Sequence, residues 1–129
     1  MVRVITFGTF DVLHVGHLNL LERAKELGDI LTVGVSTDLL NRSKKGRLPV
    51  FSQHERQRIV SALRCVDETF YEESLEEKRH YIEKYNADIL VMGDDWAGYF
   101  DDFNDVCQVV YLSRTPSIST TATIEKIRG

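Results

Sequence analysis

Apolar residues change their spacing along this chain in a regular alternation, and the alternation predicts its elements. Val2 to Phe7 is a β-branched and aromatic run closed by Gly8, the pattern of a buried strand ending in a turn. Leu18, Leu20, Leu21, Ala24 and Leu27 then recur at near-helical spacing, with Gly28 where a helix commonly ends in a left-handed cap. Ile30 to Val35 (ILTVGV) is a second strand, which completes a βαβ unit of parallel strands joined by a right-handed crossover. From Ser36 to Pro49 the apolar period is lost, and Arg42, Lys44, Lys45 and Arg47 mark a loop with a basic tip. Helical signals return at Ser52 with Glu55 and at Ser74 with Glu77, both spaced as capping boxes, which predicts helices near 53–64 and 75–85. Glu68 to Tyr71, Asp88 to Met92 and Gln108 to Leu112 read as strands, and Thr120 to Arg128 as a short closing helix. Elements in this order predict an α/β layered sheet.

Composition narrows the class. The 129 residues, 43% of them hydrophobic, suit one domain spanning 1–129 with a single core, and no repeat or composition break marks a second. The opening MVRVITFGTFDVLH is interrupted by Arg3, Gly8 and Asp11, so it has neither a secretory apolar region nor the length to cross a bilayer; a cytoplasmic location without a membrane partner is expected. Cys65 and Cys107 stand far apart without CxxC spacing, as reduced core-packing thiols would. A net charge of −4 argues against nucleic acid as a partner, because polyanion affinity draws on a broad basic surface. Any phosphate site must therefore be local.

The stretch richest in chemistry is GTFDVLHVGH, Gly8 to His17, between the first strand and the first helix. Ligands of parallel sheets bind at the carboxyl ends of strands, and a helix N-terminus presents unpaired N–H groups to an anion. His14 and His17, three residues apart, can point into one space and donate hydrogen bonds to a phosphate as charge builds on it. Gly16 lets the backbone pass close to a ligand, and Gly8 makes the tight exit from the strand. The same pair could instead simply cap the helix, or hold zinc, although no third ligand lies nearby at a recognisable spacing. The segment is neither a Walker loop nor a GxGxxG dinucleotide fingerprint.

GTFDVLHVGH resembles the signature of the HxGH nucleotidyltransferase superfamily, whose members transfer a nucleoside monophosphate. Arg114 to Thr121, RTPSISTT, is similar to the RTxGxSTT segment of the cytidylyltransferases that make CDP-alcohols, and MGDDW, Met92 to Trp96, follows a predicted strand as it does in the glycerol-3-phosphate cytidylyltransferases. The resemblance covers nearly the whole chain and implies a single-domain Rossmann-like parallel sheet with helices on both faces. It implies transfer of CMP from CTP to a small phosphorylated alcohol, glycerol 3-phosphate foremost, by a homodimer whose product feeds teichoic acid or similar polymers. By that likeness His14, His17, Lys44 and Arg114 are catalytic. Gly8, Thr9, Phe10, Gly16, Thr115, Ile118, Ser119, Thr120 and Thr121 would hold the nucleotide with the two histidines and Arg114. One of Lys45 or Arg47 would meet the phosphates, Asp95 or Asp94 would accept from the cytosine amino group, and Lys44, Lys78, Arg56 and Arg64 would face the acceptor.

The chain departs from the pattern at Pro116 and Ser117, where Glu-Gly is common, at Val15, where an aromatic is frequent, and around Lys45 to Pro49, one residue longer than usual. An ionised phosphate can attack the α-phosphorus directly, so catalysis reduces to placement and charge. Mg2+ is expected on the CTP phosphates rather than in a carboxylate cage, and Asp11 is expected to fix the turn. Rival readings are a sister enzyme for ethanolamine, choline or alditol phosphate, an adenylyl transferase, and a non-catalytic CTP-binding module.

Overall fold

The computed structural model describes residues 1–115 and 119–129. Five parallel strands form one sheet: β1 (Arg3–Gly8), β2 (Ile30–Ser36), β3 (Glu68–Glu72), β4 (Ile89–Gly93) and β5 (Gln108–Leu112), in the order β3-β2-β1-β4-β5. Around it lie α1 (Val15–Glu26), α2 (Asp38–Lys45), α3 (Gln53–Ser61), α4 (Lys78–Lys84) and α5 (Thr120–Arg128), with two short 3₁₀ turns between β4 and β5. The chain steps outward from β1 to β2 and β3, then returns past both to β4, so direction reverses between β1 and β4. Ligands of open α/β sheets bind outside the carboxyl ends of strands at such a reversal.

Alternation along each strand divides the core in two. Val4, Leu31, Val33, Val35 and Val91 pack with Leu21 and Ala24 of α1 and Val60 of α3, whereas Ile5, Phe7, Phe70, Leu90 and Met92 pack with Tyr81 and Ile82 of α4. Helices therefore cover both faces, which is why β1 and β2 read as continuous apolar runs. No described helix is long and apolar enough to cross a membrane.

Three local features differ from the sequence reading. The basic segment is not a bare loop: α2 occupies Asp38–Lys45, started by Thr37, whose hydroxyl accepts from Leu40 N, and ended at Gly46 in the left-handed region. Its one buried residue is polar, Asn41, so it shows no apolar period. The Ser52 cap forms, with Oγ accepting from Glu55 N, but Ser74 turns to Glu76 instead and the next helix starts at Lys78. That later start puts Lys78, Tyr81 and Ile82 on one inward stripe. Finally, α1 closes right-handed at Leu27 (φ −79°), and Gly28 is required for room: a Cβ there would stand 2.8 Å from Val2 O and from Val4 Cγ2.

Candidate active site

A cleft of about 620 Å³ opens over the carboxyl ends of β1 and β4, where the strand order reverses. It gathers Gly8, Thr9, Phe10, His14, Gly16 and His17 from the first connection, Lys45 and Arg47 from the end of α2, and Asp95 from beyond β4. Arg114, Thr115, Ser119, Thr120 and Thr121 complete it from the far end of the chain. Gly8 is needed because the Phe10 ring folds back over it, leaving 2.8 Å for a Cβ. The turn itself is strained, with Phe10 at φ 54° and the β-branched Val12 at φ 47°. Buried Asp11 secures it by accepting from Val50 N at 2.7 Å and Phe51 N at 2.9 Å, and Thr120 Oγ1 donates to Asp11 O at 2.8 Å, tying α5 to the same turn.

Of the roles weighed for the histidine pair, the helix cap is formed. His14 is the N-cap of α1, its Nδ1 accepting from Gly16 N at 3.1 Å, while His17 Nδ1 accepts from His14 N at 3.2 Å. The rings stack with centroids 3.9 Å apart. Since each Nδ1 is an acceptor, the proton of each neutral ring is assigned to Nε2. Burial, then His14 and Arg114, hold His17 down to about 4 against the opposing pull of Asp11, and burial with Arg114 lowers His14 as well. Both rings are thus neutral near pH 7. Among the described residues, His14 Nε2 is the buried side-chain polar atom left without a hydrogen-bond partner in the protein. No group of three His, Cys, Asp or Glu among the described residues is placed to hold a metal ion.

The cations are placed unequally. Lys45 Nζ donates to Thr9 Oγ1 at 3.3 Å, and Arg47 lies beside it on the cleft wall. Lys44 does not line the cleft; its charged neighbours include Lys45, Glu72 and Lys78, and burial with Lys45 lowers its ammonium. Arg114 stands 3.8 Å from Asp95, both about half exposed, while Asp94 faces solvent outside the cleft.

Three expected acceptor contacts are elsewhere. Arg56 is fully buried, and its guanidinium donates to Phe51 O, Thr9 O, Ser36 O and Asp38 Oδ1, so it clamps the strand ends instead of facing a ligand. Lys78 is 4% exposed, paired with Glu72 at 2.5 Å and set 4.1 Å over the Phe7 ring, which commits its charge inside the protein. Arg64 is exposed in the turn before β3, at the amino edge of the sheet, away from the cleft. Ile118, with Pro116 and Ser117, lies outside the described residues.

Three cleft features were not foreseen. Asn41 is buried beneath Thr9, Asn19 Nδ2 donates to Thr115 Oγ1 at 3.1 Å, and Trp96 forms part of the wall with Tyr99 5.3 Å away. Asn41 had a usable signal, since it is four residues before Lys45 and shares its face on α2.

Comparison with known proteins bears on this geometry. The cytidylyltransferase-like family matches residues 5–126. A glycerol-3-phosphate cytidylyltransferase of Bacillus subtilis (strain 168) is 50% identical over all 129 residues, covering 100% of this chain and 99% of that protein. One of Staphylococcus aureus (strain NCTC 8325 / PS 47) is 43% identical, covering 100% of this chain and 97% of that one. Among solved structures, the lipopolysaccharide core biosynthesis protein of Thermoplasma volcanium superposes with a TM-score of 0.77 at 28% identity, covering 89% of this chain and 98% of the other.

Proposed function

Because this chain belongs to the cytidylyltransferase-like family, we propose that its cleft transfers CMP from CTP to glycerol 3-phosphate, giving CDP-glycerol and pyrophosphate. The observation that carries the reading is the pair of neutral imidazoles whose Nδ1 atoms are held by backbone N–H groups. Their Nε2–H groups are left as fixed donors between two helix N-termini and a local set of cations.

An oxygen of the acceptor's phosphate attacks the α-phosphorus of CTP. The new P–O bond forms as the bond to the β-phosphate bridging oxygen breaks, and that electron pair leaves on pyrophosphate. No proton must be removed from the nucleophile, so the protein has only to align and to stabilise charge. His14 and His17 donate from Nε2 to the phosphoryl oxygens. Lys45, Arg47 and Arg114 offset the charge moving to the leaving group, with the N-terminal N–H groups of α5 behind Ser119, whose Oγ caps Ala122 N at 3.0 Å. Neutral donors suit this task because they do not gain or lose a proton near pH 7.

Mg2+ would enter on the triphosphate and supply further charge neutralisation there. The residues present suit that arrangement, since the cleft offers cations and N–H donors to phosphate oxygens while Asp11 is spent on Val50 and Phe51. Asp95 is assigned to the cytosine amino group; Arg114, now 3.8 Å away, would turn toward the phosphates. Of the residues expected to meet the acceptor, Lys44 remains: it lies outside the cleft wall but next in sequence to Lys45, which lines it, with Lys78 bound to Glu72 nearby. A homodimer and a cytoplasmic location belong to the same reading.

A pyrophosphate-release assay tests it with CTP, UTP and ATP against glycerol 3-phosphate, phosphoethanolamine and phosphocholine. Turnover confined to CTP with glycerol 3-phosphate supports the reading. Comparable efficiency with phosphocholine would overturn the acceptor, and a preference for ATP would overturn the donor.

A further inference from the structure

Asn41 is a fully buried amide in a helix that otherwise presents its side chains to the surface. Its Nδ2 donates to Thr37 O and Ser36 Oγ, both at 2.8 Å, and to Ser36 O at 3.3 Å, while its Oδ1 accepts from Thr9 Oγ1 at 2.9 Å. Turning the amide over would set its oxygen against two carbonyls, so the orientation is fixed. The consequence passes to Thr9. Its one hydroxyl hydrogen is committed to Asn41 Oδ1, which leaves the lone pairs of Oγ1 as acceptors, and one of them takes Lys45 Nζ at 3.3 Å. Asn41 and Lys45 lie one helical turn apart, so the same helix supplies both the ammonium and the amide that prepares its seat.

We infer that Asn41 is a positioning residue that acts through the Thr9 hydroxyl to hold the Lys45 ammonium over the carboxyl end of β1, where it meets the nucleotide's phosphates. Without that acceptor, Lys45 would be a long exposed side chain at the end of a short helix, sampling many rotamers at an entropic cost on each binding event. Arg47 and Arg56 repel the ammonium and Asp11 attracts it, so charge alone does not settle its position. The buried amide supplies a directional constraint that the charges do not.

The inference rests on the cleft being a triphosphate site. It is tested by double-mutant cycles on the full chain, reading KM for CTP and kcat with glycerol 3-phosphate. Lys45→Ala should raise KM for CTP about 10- to 100-fold, the span of a hydrogen bond to a charged group. Thr9→Val and Asn41→Ala should each raise it about 2- to 10-fold, the span of one net neutral hydrogen bond. In the Lys45→Ala background neither should add anything further. Full multiplication of the single effects would overturn the inference, because a merely structural role for Asn41 does not pass through Lys45. If Asn41→Ala gives no cooperative melt, the Thr9→Val cycle decides alone. An unchanged KM for CTP in Lys45→Ala, with an active wild type, overturns it too. A wild type that makes no CDP-alcohol would instead refute the reading of the function.

Discussion

Lowering the pH should destabilise this protein through His17 well before its carboxylates protonate. The ordinary value of 6.5 falls to about 4 in the folded chain, chiefly through burial and then the stacked His14 ring. An unfolded chain at about pH 5 has mostly protonated that ring, whereas the folded chain has not, so the unfolded state gains protons and stability falls with pH. The contribution is complete above about 6.5 and is lost as the pH drops toward about 4. Between about pH 7 and about pH 5 the loss from His17 alone is about 2 kcal/mol. His14, lowered for the same leading reason, adds in the same direction. The local geometry acts in the same direction: protonating Nδ1 would set a donor against the His14 N–H that it now accepts from at 3.2 Å. Urea unfolding at the two pH values measures the loss, and His17→Gln, which has no titrating ring, should lose about 2 kcal/mol less over that interval. Equal losses in both proteins, or an NMR titration placing His17 near its ordinary value, would refute the reasoning.

Three other outcomes are expected. His17→Ala should lower kcat about 10²- to 10³-fold, or about 2.7–4 kcal/mol by analogy with a deleted oxyanion donor, with a smaller change in CTP affinity; near-normal turnover in a folded variant would leave His17 only its capping role. Asp95→Asn should blunt the preference for CTP over UTP, since uracil presents an acceptor where cytosine presents a donor; unchanged discrimination in steady-state competition would move base recognition to backbone groups. Glu72→Gln should destabilise by about 3–5 kcal/mol in denaturant titration by stranding the buried Lys78 charge, and Lys78→Met in the same background should recover much of it; a neutral single variant would show that the pair at 2.5 Å carries little.

The strands were legible because a parallel sheet covered on both faces demands continuous apolar runs, and β5 and α5 fall on the expected residues. Helix α2 was not, because its single buried side chain is Asn41 and no apolar stripe betrays it; the Thr37 cap and Gly46 stop were the signals available. In the site, His14, His17 and Arg114 share one cleft with both of the alternatives Lys45 and Arg47, whereas Lys44 lies outside its wall. Arg56 and Lys78 do not join that cleft, since an isolated cation reads as a surface or ligand-facing charge until its buried partners are known. Arg56 shares its helical face with buried Val60, and that spacing pointed inward.

Phosphorus NMR of one reaction containing the purified protein, CTP, Mg2+ and glycerol 3-phosphate tests the central claim most directly. The account predicts that the triphosphate signals give way to the coupled pair of a diphosphate diester and to pyrophosphate, in equal amounts and only while the acceptor lasts. Persistence of intact CTP, or its conversion to CMP and pyrophosphate with glycerol 3-phosphate untouched, would contradict it.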